Sequence, residues 1–381
     1  MIDKISKGLY NKHMTNRKGD TMTQRERQIL RLIEKDPMIS QQELADTLGI
    51  TRSSVAVHIS NLIKKGAIAG KGYVLRSGSY AVVVGGVNVD IGGSSFGPLV
   101  AADSNPGRVR ISLGGVGRNI AHNMSLMGVD VRMLTAVGND ANGQRVAASC
   151  SELGIDLSHA LRLSDATTST YVYLTDDRGE MALAVSDMEV CKRITPAYLA
   201  SKLQLLQNAQ VVVADANIPA ESLQYLAENC TAPIFCDPVS TTKAEKLRPI
   251  LDKIHTLKPN RLEAELLSGV AIRDMADVEK AAAVLLEKGV HRLFISLGAE
   301  GIYAAMGQQR VKLPNLPGKM VNTTGCGDAC MAALVWAYLQ GCDLEETALA
   351  GLAAGAVAME SAETINDAMS ASALRQRMEM K

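Results

Sequence analysis

The chain has 381 residues, with 40 basic and 40 acidic side chains and a hydrophobic fraction of 47%, which is ordinary for a globular protein of two or three domains. The longest uncharged runs, such as residues 329–342, fall short of the roughly 20 apolar residues that span a bilayer, and the polar, basic N-terminus lacks the apolar core of a secretory signal. The seven cysteines are scattered without a CxxC pair, which supports neither a zinc ribbon nor a disulfide framework and predicts reduced thiols in a cytoplasm.

Charge is distributed unevenly along the chain. Residues 1–78 hold 14 Lys and Arg but only 7 Asp and Glu, so the remainder of this neutral chain is acidic. Such an asymmetry predicts two modules with different partners. Residues 1–20 are basic and poor in apolar side chains, which predicts a disordered arm, with Met22 as an alternative start of the protein.

Helical periodicity begins at Thr23. Thr23 and Glu26 form a capping-box pattern that opens a first helix. Ser40 is placed to cap a second helix that Gly49 closes, and Thr51 is placed to open a third. Three short helices in close succession therefore form the first module.

With a hairpin predicted over residues 68–75, residues 21–76 resemble the winged helix-turn-helix of bacterial transcription regulators. In that fold the third helix enters the major groove and basic side chains meet phosphates. The resemblance implies DNA as a partner, and the residues placed to contact it are Arg52, Ser53, Ser54, His58, Lys64 and Lys65. A three-helix domain for protein interaction, or for self-association alone, is the alternative.

From Tyr80 the pattern changes to apolar runs that alternate with helical segments. Continuous apolar runs stand at residues 81–84, 211–214, 233–236 and 293–297. Runs of this kind are typical of central parallel strands, so residues 80–381 are predicted to form an open, doubly wound, mostly parallel α/β sheet. Polar side chains follow several of these strands, and we expect them to share one crevice at the carboxyl ends.

Two segments break the alternation, at about residues 91–112 and 167–186. They contain β-branched and alternating residues, and residues 176–179 predict a hairpin turn. We therefore predict a small antiparallel β lid that projects from the main sheet. Such a lid would exclude water from the crevice and could provide a dimer surface.

Residues 322–328, Asn-Thr-Thr-Gly-Cys-Gly-Asp, form a glycine-rich turn before a run of small residues that predicts a helix. A turn of this kind aims backbone N–H groups at one point, and the helix dipole adds partial positive charge there. The site suits a transferring phosphoryl group, with Asp328 placed to take the proton of an attacking hydroxyl. The alternative is that Asp328 only caps the helix.

Two motifs carry a family resemblance, GGVGRNIA at residues 114–121 and NTTGCGD at residues 322–328. Two supporting segments stand between them, at residues 258–263 and 296–301. On these four segments, residues 80–381 resemble the ribokinase-like, or PfkB, family of carbohydrate and nucleoside kinases. The GxxxxGK[ST] phosphate loop of other ATPases is absent from the sequence.

The resemblance implies an ATP-dependent kinase that uses Mg²⁺, with Asp328 as the base. Backbone N–H groups of Gly325, Cys326 and Gly327 would form the anion hole. Asn260 and Glu263 would order the water shell of Mg²⁺, the alternative being a plain capping box. The implied nucleotide contacts are Asn260, Ser296, Gly298, Glu300, Gly301, Thr324 and Gly327. The implied substrate contacts are Asn88, Asp90, Gly114, Gly115, Arg118 and Asn119.

Three positions depart from the commonest family pattern. Cys326 replaces the usual Ala, and its thiol at a helix N-terminus is expected to have a lowered pKa. Asn322 stands where sugar kinases of the family often have an Asp, which leaves dependence on a monovalent cation open. Val116 replaces a Lys common in ribokinases, which argues against free ribose.

The finer pattern, at residues 114–119, 168–171 and 179–188, resembles the pseudouridine kinase branch of the family. It implies phosphorylation of the 5′-hydroxyl of a nucleoside, pseudouridine in particular, because Val116 and Arg118 suit a base-bearing ligand. The alternatives are a kinase of another nucleoside or of a free sugar, and a transcription regulator whose kinase-like part senses a ligand without turnover. A homodimer is expected from the lid and from the way helix-turn-helix proteins meet two half-sites.

Overall fold

The computed structural model describes residues 22–36, 39–65, 67–68 and 80–380. The chain divides into two units, Met1–Gly78 and Ser79–Lys381. The arm predicted over residues 1–20 and nearly all of the hairpin predicted over residues 68–75 lie outside the described residues. None of the helices in the described part of the chain combines the length and the apolar character that crossing a bilayer requires.

The first unit contains three α-helices in its described residues, α1 Gln24–Lys35, α2 Gln41–Leu48 and α3 Arg52–Lys64. Capping boxes open α1 and α2, as the sequence predicts. The Thr51 side chain accepts a hydrogen bond from the backbone of Ser54 and so opens α3. Apolar side chains from all three helices pack into one core, formed by Ile29, Ile33, Leu44, Ala45, Val55, Ile59, Leu62 and Ile68.

The second unit alternates strands with helices. Its strands are β1 Tyr80–Val84, β2 Asn88–Ser95, β3 Gly107–Gly114, β4 Asp130–Leu134, β5 Ala136–Gly138, β6 Leu161–Leu163, β7 Thr170–Thr175, β8 Met181–Asp187, β9 Val211–Asp215, β10 Ile234–Asp237, β11 Thr256–Leu257, β12 Arg292–Ser296, β13 Ile302–Met306 and β14 Gln309–Leu313. Its α-helices are α4 Val116–Leu126, α5 Ala141–Glu152, α6 Pro196–Ser201, α7 Leu203–Asn208, α8 Ala220–Asn229, α9 Thr241–Ala244, α10 Arg261–Ser268, α11 Met275–Glu287, α12 Cys326–Gln340, α13 Leu344–Ala358 and α14 Ala371–Met378.

Eight strands of residues 80–380 form the main sheet, in the order β14-β13-β12-β11-β10-β9-β1-β4. Pairing is parallel from β4 to β12, whereas β13 and β14 add an antiparallel edge. Along β1, Val83 packs into the core on one face of the sheet while Val82 and Val84 pack into the core on the other. The predicted doubly wound, mostly parallel sheet is therefore confirmed, because continuous apolar strands are covered on both faces.

A second sheet of residues 80–380 has four strands in the order β3-β2-β7-β8, and we call it the lid sheet. The hairpins β2–β3 and β7–β8 are antiparallel, as expected, but β2 and β7 pair in parallel. The prediction of a purely antiparallel lid is therefore wrong at its central pairing. The long crossover over residues 96–169 permits that parallel pairing, whereas a tight hairpin would impose an antiparallel one.

Candidate active site

Two cavities of the second unit meet at the turn formed by residues 322–328. The polar cavity, of about 750 Å³, is lined mainly by hydrogen-bonding side chains, namely Asn88, Asp90, Arg110, Ser112, Asn119, Tyr171, Tyr173, Ser186, Asn217, Lys243, Asn322, Thr324, Asp328 and Glu363. The apolar cavity, of about 640 Å³, is lined mainly by small and aliphatic residues, among them Ile302, Leu316, Pro317, Met320, Cys326, Gly327, Leu352, Gly355, Ala356 and Met359. Gly327 and Asp328, neighbours in the chain, thus face different cavities.

The carboxylate of Asp328 lies in the first turn of α12 and borders the polar cavity. The Asn119 side chain donates a hydrogen bond of 2.8 Å to its Oδ2 and so fixes its orientation. Burial raises the pKa of Asp328 to about 7, and the carboxylates of Asp237 and Asp215 act in the same direction, against the Asn119 bond and the charge of Lys258. Asp328 can therefore exchange a proton near neutral pH, which a general base requires.

Gly325 begins α12 as its N-cap, with a φ of 85° that favours glycine. A Cβ at this position would lie 2.2 Å from the carbonyl oxygen of Thr364. Within the described residues, no side chain caps α12, so Asp328 is not a capping residue and the alternative interpretation of the turn fails. The Cys326 N–H donates to Thr323 O at 3.3 Å, so the turn itself uses this group and the structure corrects its expected place in the anion hole. The helix dipole and the N–H groups of Gly325 and Gly327 remain as the expected anion hole.

Asn88 and Asp90 lie at the start of β2 and form the floor of the polar cavity. The Asn88 amide donates to Asp90 Oδ1 at 2.5 Å, and burial raises the pKa of Asp90 against the effects of that bond and of Arg118. A Cβ at Gly114 would lie 2.3 Å from Asp90 Oδ2, and one at Gly115, whose φ is 96°, would lie 2.6 Å from Gly86 O. The glycine pair therefore allows the chain to pass directly over Asp90.

Four of the six expected substrate residues line the polar cavity, namely Asn88, Asp90, Gly115 and Asn119. Gly114 lies behind the carboxylate of Asp90 and does not reach the cavity. Arg118 is 4% exposed and donates to Leu113 O at 3.2 Å and to Ser149 Oγ at 2.9 Å. Arg118 lies in the first turn of α4, and its guanidinium points into the protein. The predicted contact of Arg118 with substrate is therefore wrong.

The apolar cavity brings together five of the expected nucleotide residues, namely Asn260, Ser296, Gly298, Gly301 and Gly327. Glu300 does not line it, because its carboxylate pairs with Arg261 at the surface. Thr324 faces the polar cavity instead, and the preceding Thr323 lines the apolar one. A bond of 2.9 Å from the Thr324 N–H to Asn322 Oδ1 closes the turn in which the two threonines diverge.

Asn260 and Glu263 form a capping box at the start of α10, with two reciprocal hydrogen bonds of 2.9 Å. Asn260 reaches the apolar cavity, whereas Glu263 is 4% exposed, and burial raises its pKa. In the part of the chain that the structure describes, no group of three or more His, Cys, Asp or Glu side chains is arranged to hold a metal ion. Of the pair, Asn260 alone borders the cavity, so these two residues could hold only an ion that keeps most of its waters, as Mg²⁺ does.

The prediction of a lowered pKa for the Cys326 thiol is wrong. Its Sγ donates to Gly355 O at 3.6 Å, and burial, followed by the charge of Asp328, raises its pKa. Desolvation thus outweighs the helix dipole at this position. The thiol is therefore not activated as a nucleophile.

Three charged residues of the site were given no role by the sequence patterns. Lys243 lines the polar cavity and donates to Asn217 Oδ1 at 2.5 Å. Lys258 and Asp237 form a buried ion pair of 3.2 Å below the turn. Asp237 follows an apolar strand and was expected in the crevice with the other polar residues there, whereas Lys258 belongs to the motif at residues 258–263, a signal that could have found it. No sequence pattern marked Lys243.

In the first unit, Arg52, Ser53 and Lys64 of α3 are exposed, whereas Ser54 and His58 are half-buried. Lys65 forms an ion pair of 3.1 Å with the buried Glu26. Hydrogen bonds from Thr23 and Lys65 hold the pKa of Glu26 below its usual value despite burial. The structure therefore uses Lys65 inside its own unit, which corrects its expected role as a phosphate contact.

The doubly wound sheet and its small lid form a ribokinase-like fold. The profile of the pfkB family carbohydrate kinases matches residues 79–371, and a winged helix-turn-helix DNA-binding profile matches residues 22–69. The chain therefore belongs to the pfkB family of carbohydrate kinases, which are phosphotransferases with an alcohol group as acceptor. Kinases of this ribokinase-like family use ATP and Mg²⁺ in general.

Two curated relatives come from Escherichia coli (strain K12). An uncharacterized sugar kinase, YeiI, is 38% identical over 354 residues, which cover 92% of this chain and 97% of the relative. A pseudouridine kinase is 41% identical over 276 residues, covering 72% of this chain and 88% of the relative. Among solved structures, a carbohydrate kinase from Agrobacterium tumefaciens is 27% identical with a TM-score of 0.71, covering 79% of this chain and 97% of that one.

Proposed function

We propose that this chain is an ATP-dependent kinase that phosphorylates the 5′-hydroxyl of a nucleoside, with pseudouridine as the best supported acceptor. One observation carries the proposal. Asp328 faces the polar cavity and Gly327 faces the apolar cavity, so a hydroxyl entering from one side would meet a phosphoryl group entering from the other. In-line transfer needs this arrangement of acceptor, base and anion hole.

In the proposed reaction, the deprotonated Asp328 accepts the proton of the acceptor hydroxyl as the oxygen attacks the γ-phosphorus of ATP. The bond from the γ-phosphorus to the β,γ-bridging oxygen breaks, and ADP leaves with that oxygen. Asn119 holds the carboxylate in place through its 2.8 Å hydrogen bond. The backbone N–H groups at the start of α12 stabilise the charge on the transferring group, as an anion hole does. Mg²⁺ held through water by Asn260 and Glu263 would neutralise phosphate charge when bound.

The polar cavity favours an acceptor with both a ribosyl and a base part. Asn88, Asp90 and Asn119 offer fixed polar groups for sugar hydroxyls. Farther along the cavity, the rings of Tyr171 and Tyr173, with centroids 5.8 Å apart, provide aromatic surface suited to a planar base. The 41% identity to a pseudouridine kinase supports pseudouridine as that nucleoside.

The test is ADP release with pseudouridine, uridine, cytidine, inosine, ribose and fructose as acceptors. We expect the highest kcat/KM with pseudouridine, and a 5′-phosphate product identified by ³¹P NMR. Preference for another nucleoside would change the assigned acceptor but keep the assignment as a nucleoside kinase. Turnover with hexoses alone would contradict the nucleoside proposal, and ligand binding without turnover would favour the sensor alternative.

A second proposed function is DNA binding by the first unit. The winged helix-turn-helix match over residues 22–69 and the exposed Arg52, Ser53 and Lys64 on α3 support it. Replacing Arg52 and Lys64 by Ala should weaken binding of random-sequence duplex and reduce its salt dependence, because each phosphate contact releases counterions. Lys312→Ala, an exposed lysine of the second unit, is the matched control. Absence of any salt-sensitive binding would leave protein interaction or self-association as the role of this unit.

The outer face of the lid sheet supports the proposal of a homodimer. Side chains alternate along its strands, so those facing the polar cavity are largely polar, whereas the opposite face exposes Val109, Ile111, Val172, Leu174, Leu183 and Val185. An uncharged patch of this kind suits a self-complementary contact with a second copy. Leu183→Lys should give a monomer in sedimentation, whereas Leu262→Lys, at an equally exposed leucine of α10, should not. A monomeric wild-type chain would contradict the proposal.

A further inference from the structure

The carboxylate of Asp237, at the end of β10, makes two different contacts. Its Oδ1 accepts a hydrogen bond of 2.8 Å from the backbone of Val239, and its Oδ2 lies 3.2 Å from Lys258 Nζ. Both charged residues are 5% exposed. A buried ion pair is costly to desolvate, so it is retained where geometry and further hydrogen bonds compensate.

The first contact fixes a strained turn in the wall of the polar cavity. Val239 has a φ of 66°, which is rare for a β-branched residue and costs energy. Its side chain lines the polar cavity. Asp237 thus stabilises an unfavourable backbone conformation at Val239, in one wall of the polar cavity.

The second contact places a positive charge beneath the turn that faces the nucleotide side. A Cβ built at Gly327 would lie 3.6 Å from Lys258 Nζ. The charge of Lys258 also acts on the carboxyl groups of Asp328 and Glu263, which makes it the central cation of an acidic cluster. The two other buried cations of the described residues, Arg118 and Arg292, donate to Ser149 and Thr347 respectively.

This cluster presents a difficulty for a kinase, because the phosphoryl group that must approach it is itself negative. Asp237, Glu263 and Asp328 would repel that group in a water-poor site. A fixed ammonium below Gly327 offsets the repulsion without any reorganisation during the reaction.

We propose that Lys258 is a positioning residue for phosphoryl transfer, aimed by Asp237, whose charge holds the Gly327 turn and balances the acidic cluster as negative charge develops. This inference rests on the proposed function for the roles of Asp328 and the turn. It adds a residue to which the family motifs in the chain gave no role.

The test compares Lys258→Met, Lys258→Met with Asp237→Asn, and Arg292→Met in the full-length chain. Met keeps the length of the Lys side chain without its charge, and Asn at 237 retains an oxygen that can accept from Val239. Arg292→Met removes another buried cation, one that bonds to Thr347 at 2.9 Å and belongs to no cavity wall. Melting temperature, kcat and both KM values are measured for each variant.

We expect Lys258→Met to lose roughly 10²–10³-fold in kcat, as for the loss of one anion-hole contact, with the acceptor KM changed less than about threefold. It should also lower the melting temperature, because Asp237 is left buried and unpaired. The double variant should recover the melting temperature but not kcat. Arg292→Met should lower the melting temperature and keep kcat.

Recovery of kcat together with stability in the double variant would overturn the inference, since the pair would then be only structural. A Lys258→Met variant with wild-type kcat would overturn it as well. Asp328→Asn, assayed in parallel on the same acceptor, separates this inference from the proposed function. If that variant keeps turnover, the assignment of the base fails, while the comparison of the Lys258 variants still decides the role of the lysine.

Discussion

The polar and apolar cavities differ in how the chain builds them. The polar cavity is enclosed by the lid strands β2, β3 and β7, the start of α9 and the loop at residues 362–364, so distant segments each contribute one or two polar groups. The apolar cavity is enclosed largely by the consecutive segments β12 to α13, which contribute small and aliphatic residues. One cavity thus depends on long-range assembly and the other on close packing of neighbouring elements.

This difference suits the two ligands proposed for them. A polyhydroxylated acceptor needs fixed hydrogen-bonding partners, whereas the adenine of ATP needs a flat apolar slot beside a turn that meets its phosphates. The turn at residues 322–328 is the shared boundary, with Asp328 on one side and Gly327 on the other. Changes at this boundary should therefore affect kcat, and changes inside one cavity should affect only the KM of its own ligand.

The largest expected effect is at the boundary. Asp328→Asn should lower kcat roughly 10²–10⁴-fold, the usual contribution of a general base, while acceptor binding measured by calorimetry stays nearly unchanged. Asp343→Asn, which keeps an N-capping oxygen at the start of α13 far along the chain from the turn, is the control and should retain kcat. Equal loss of acceptor binding in Asp328→Asn would mean that Asp328 binds substrate rather than activating it.

The pH dependence of kcat should report the same carboxylate. Since burial raises the pKa of Asp328 to about 7, its basic form is lost as pH falls through that value. We expect kcat to rise about tenfold per pH unit below pH 7 and to level off above it. A rate that is flat between pH 5 and 8 would contradict Asp328 as the base.

Stability should respond to the same titration in the opposite direction. The pKa of Asp328 is raised in the folded state to about 7. Between the ordinary pKa of Asp and about 7, the folded chain therefore binds more protons than the unfolded chain. The stability that protonated Asp328 contributes is lost as pH rises through that window. Above pH 7, Asp328→Asn should therefore melt at a higher temperature than the wild type. At pH 4 the difference should be much smaller.

The next effect lies inside the polar cavity. Asp90→Ala should raise the acceptor KM roughly 10–100-fold, the range expected when hydrogen bonds to a charged group are lost. The KM for ATP should stay within about threefold, because Asp90 does not border the apolar cavity. Parallel increases in both KM values would show that the two cavities are not separate in function.

The apolar cavity offers the converse experiment at Gly355 of α13. A Cβ at Gly355 meets no atom within 4 Å, and the residue lines the cavity, so Gly355→Leu should fill space that ATP would occupy. We expect the KM for ATP to rise about tenfold while the acceptor KM is unchanged. Gly355→Ala is the control, and it should raise the melting temperature because glycine inside a helix costs about 1 kcal/mol relative to alanine.

Local signals predicted the main sheet, the helix starts and the turn at residues 322–328. Apolar runs at strand spacing, capping boxes and glycine-rich turns each involve only a few neighbouring residues, so the sequence alone is enough to predict them. The same reasoning placed Asn88 and Asp90 in one crevice, because residues after parallel strands meet at one edge of a sheet, whereas Asn119 was implied only by the family resemblance; all three line the polar cavity.

What the sequence did not predict depends on side-chain direction and on contacts between distant segments. Arg118 and Lys65 have the residue type of ligand contacts, yet each is used inside the protein, by Ser149 and Glu26 respectively. The parallel pairing of β2 with β7 depends on how two hairpins meet across a crossover. Lys243 joins the polar cavity from a short helix that no motif marks.

The smallest expected effect tests whether the lid sheet contributes binding energy to the polar cavity. Arg110 of β3 pairs with Glu363 of the loop that follows α13, and both side chains line the cavity while remaining more than half exposed. Exposed ion pairs contribute about 0–1 kcal/mol and are screened by salt, so Glu363→Gln should raise the acceptor KM less than about fivefold, and less at high salt. Glu189→Gln, which breaks a similarly exposed pair with Lys192, should leave KM unchanged, because neither residue lines the cavity. If Glu363→Gln raised the acceptor KM far above this range and independently of salt, Glu363 would contact the acceptor directly. The surface that binds the acceptor would then extend from the strand ends to the C-terminal loop.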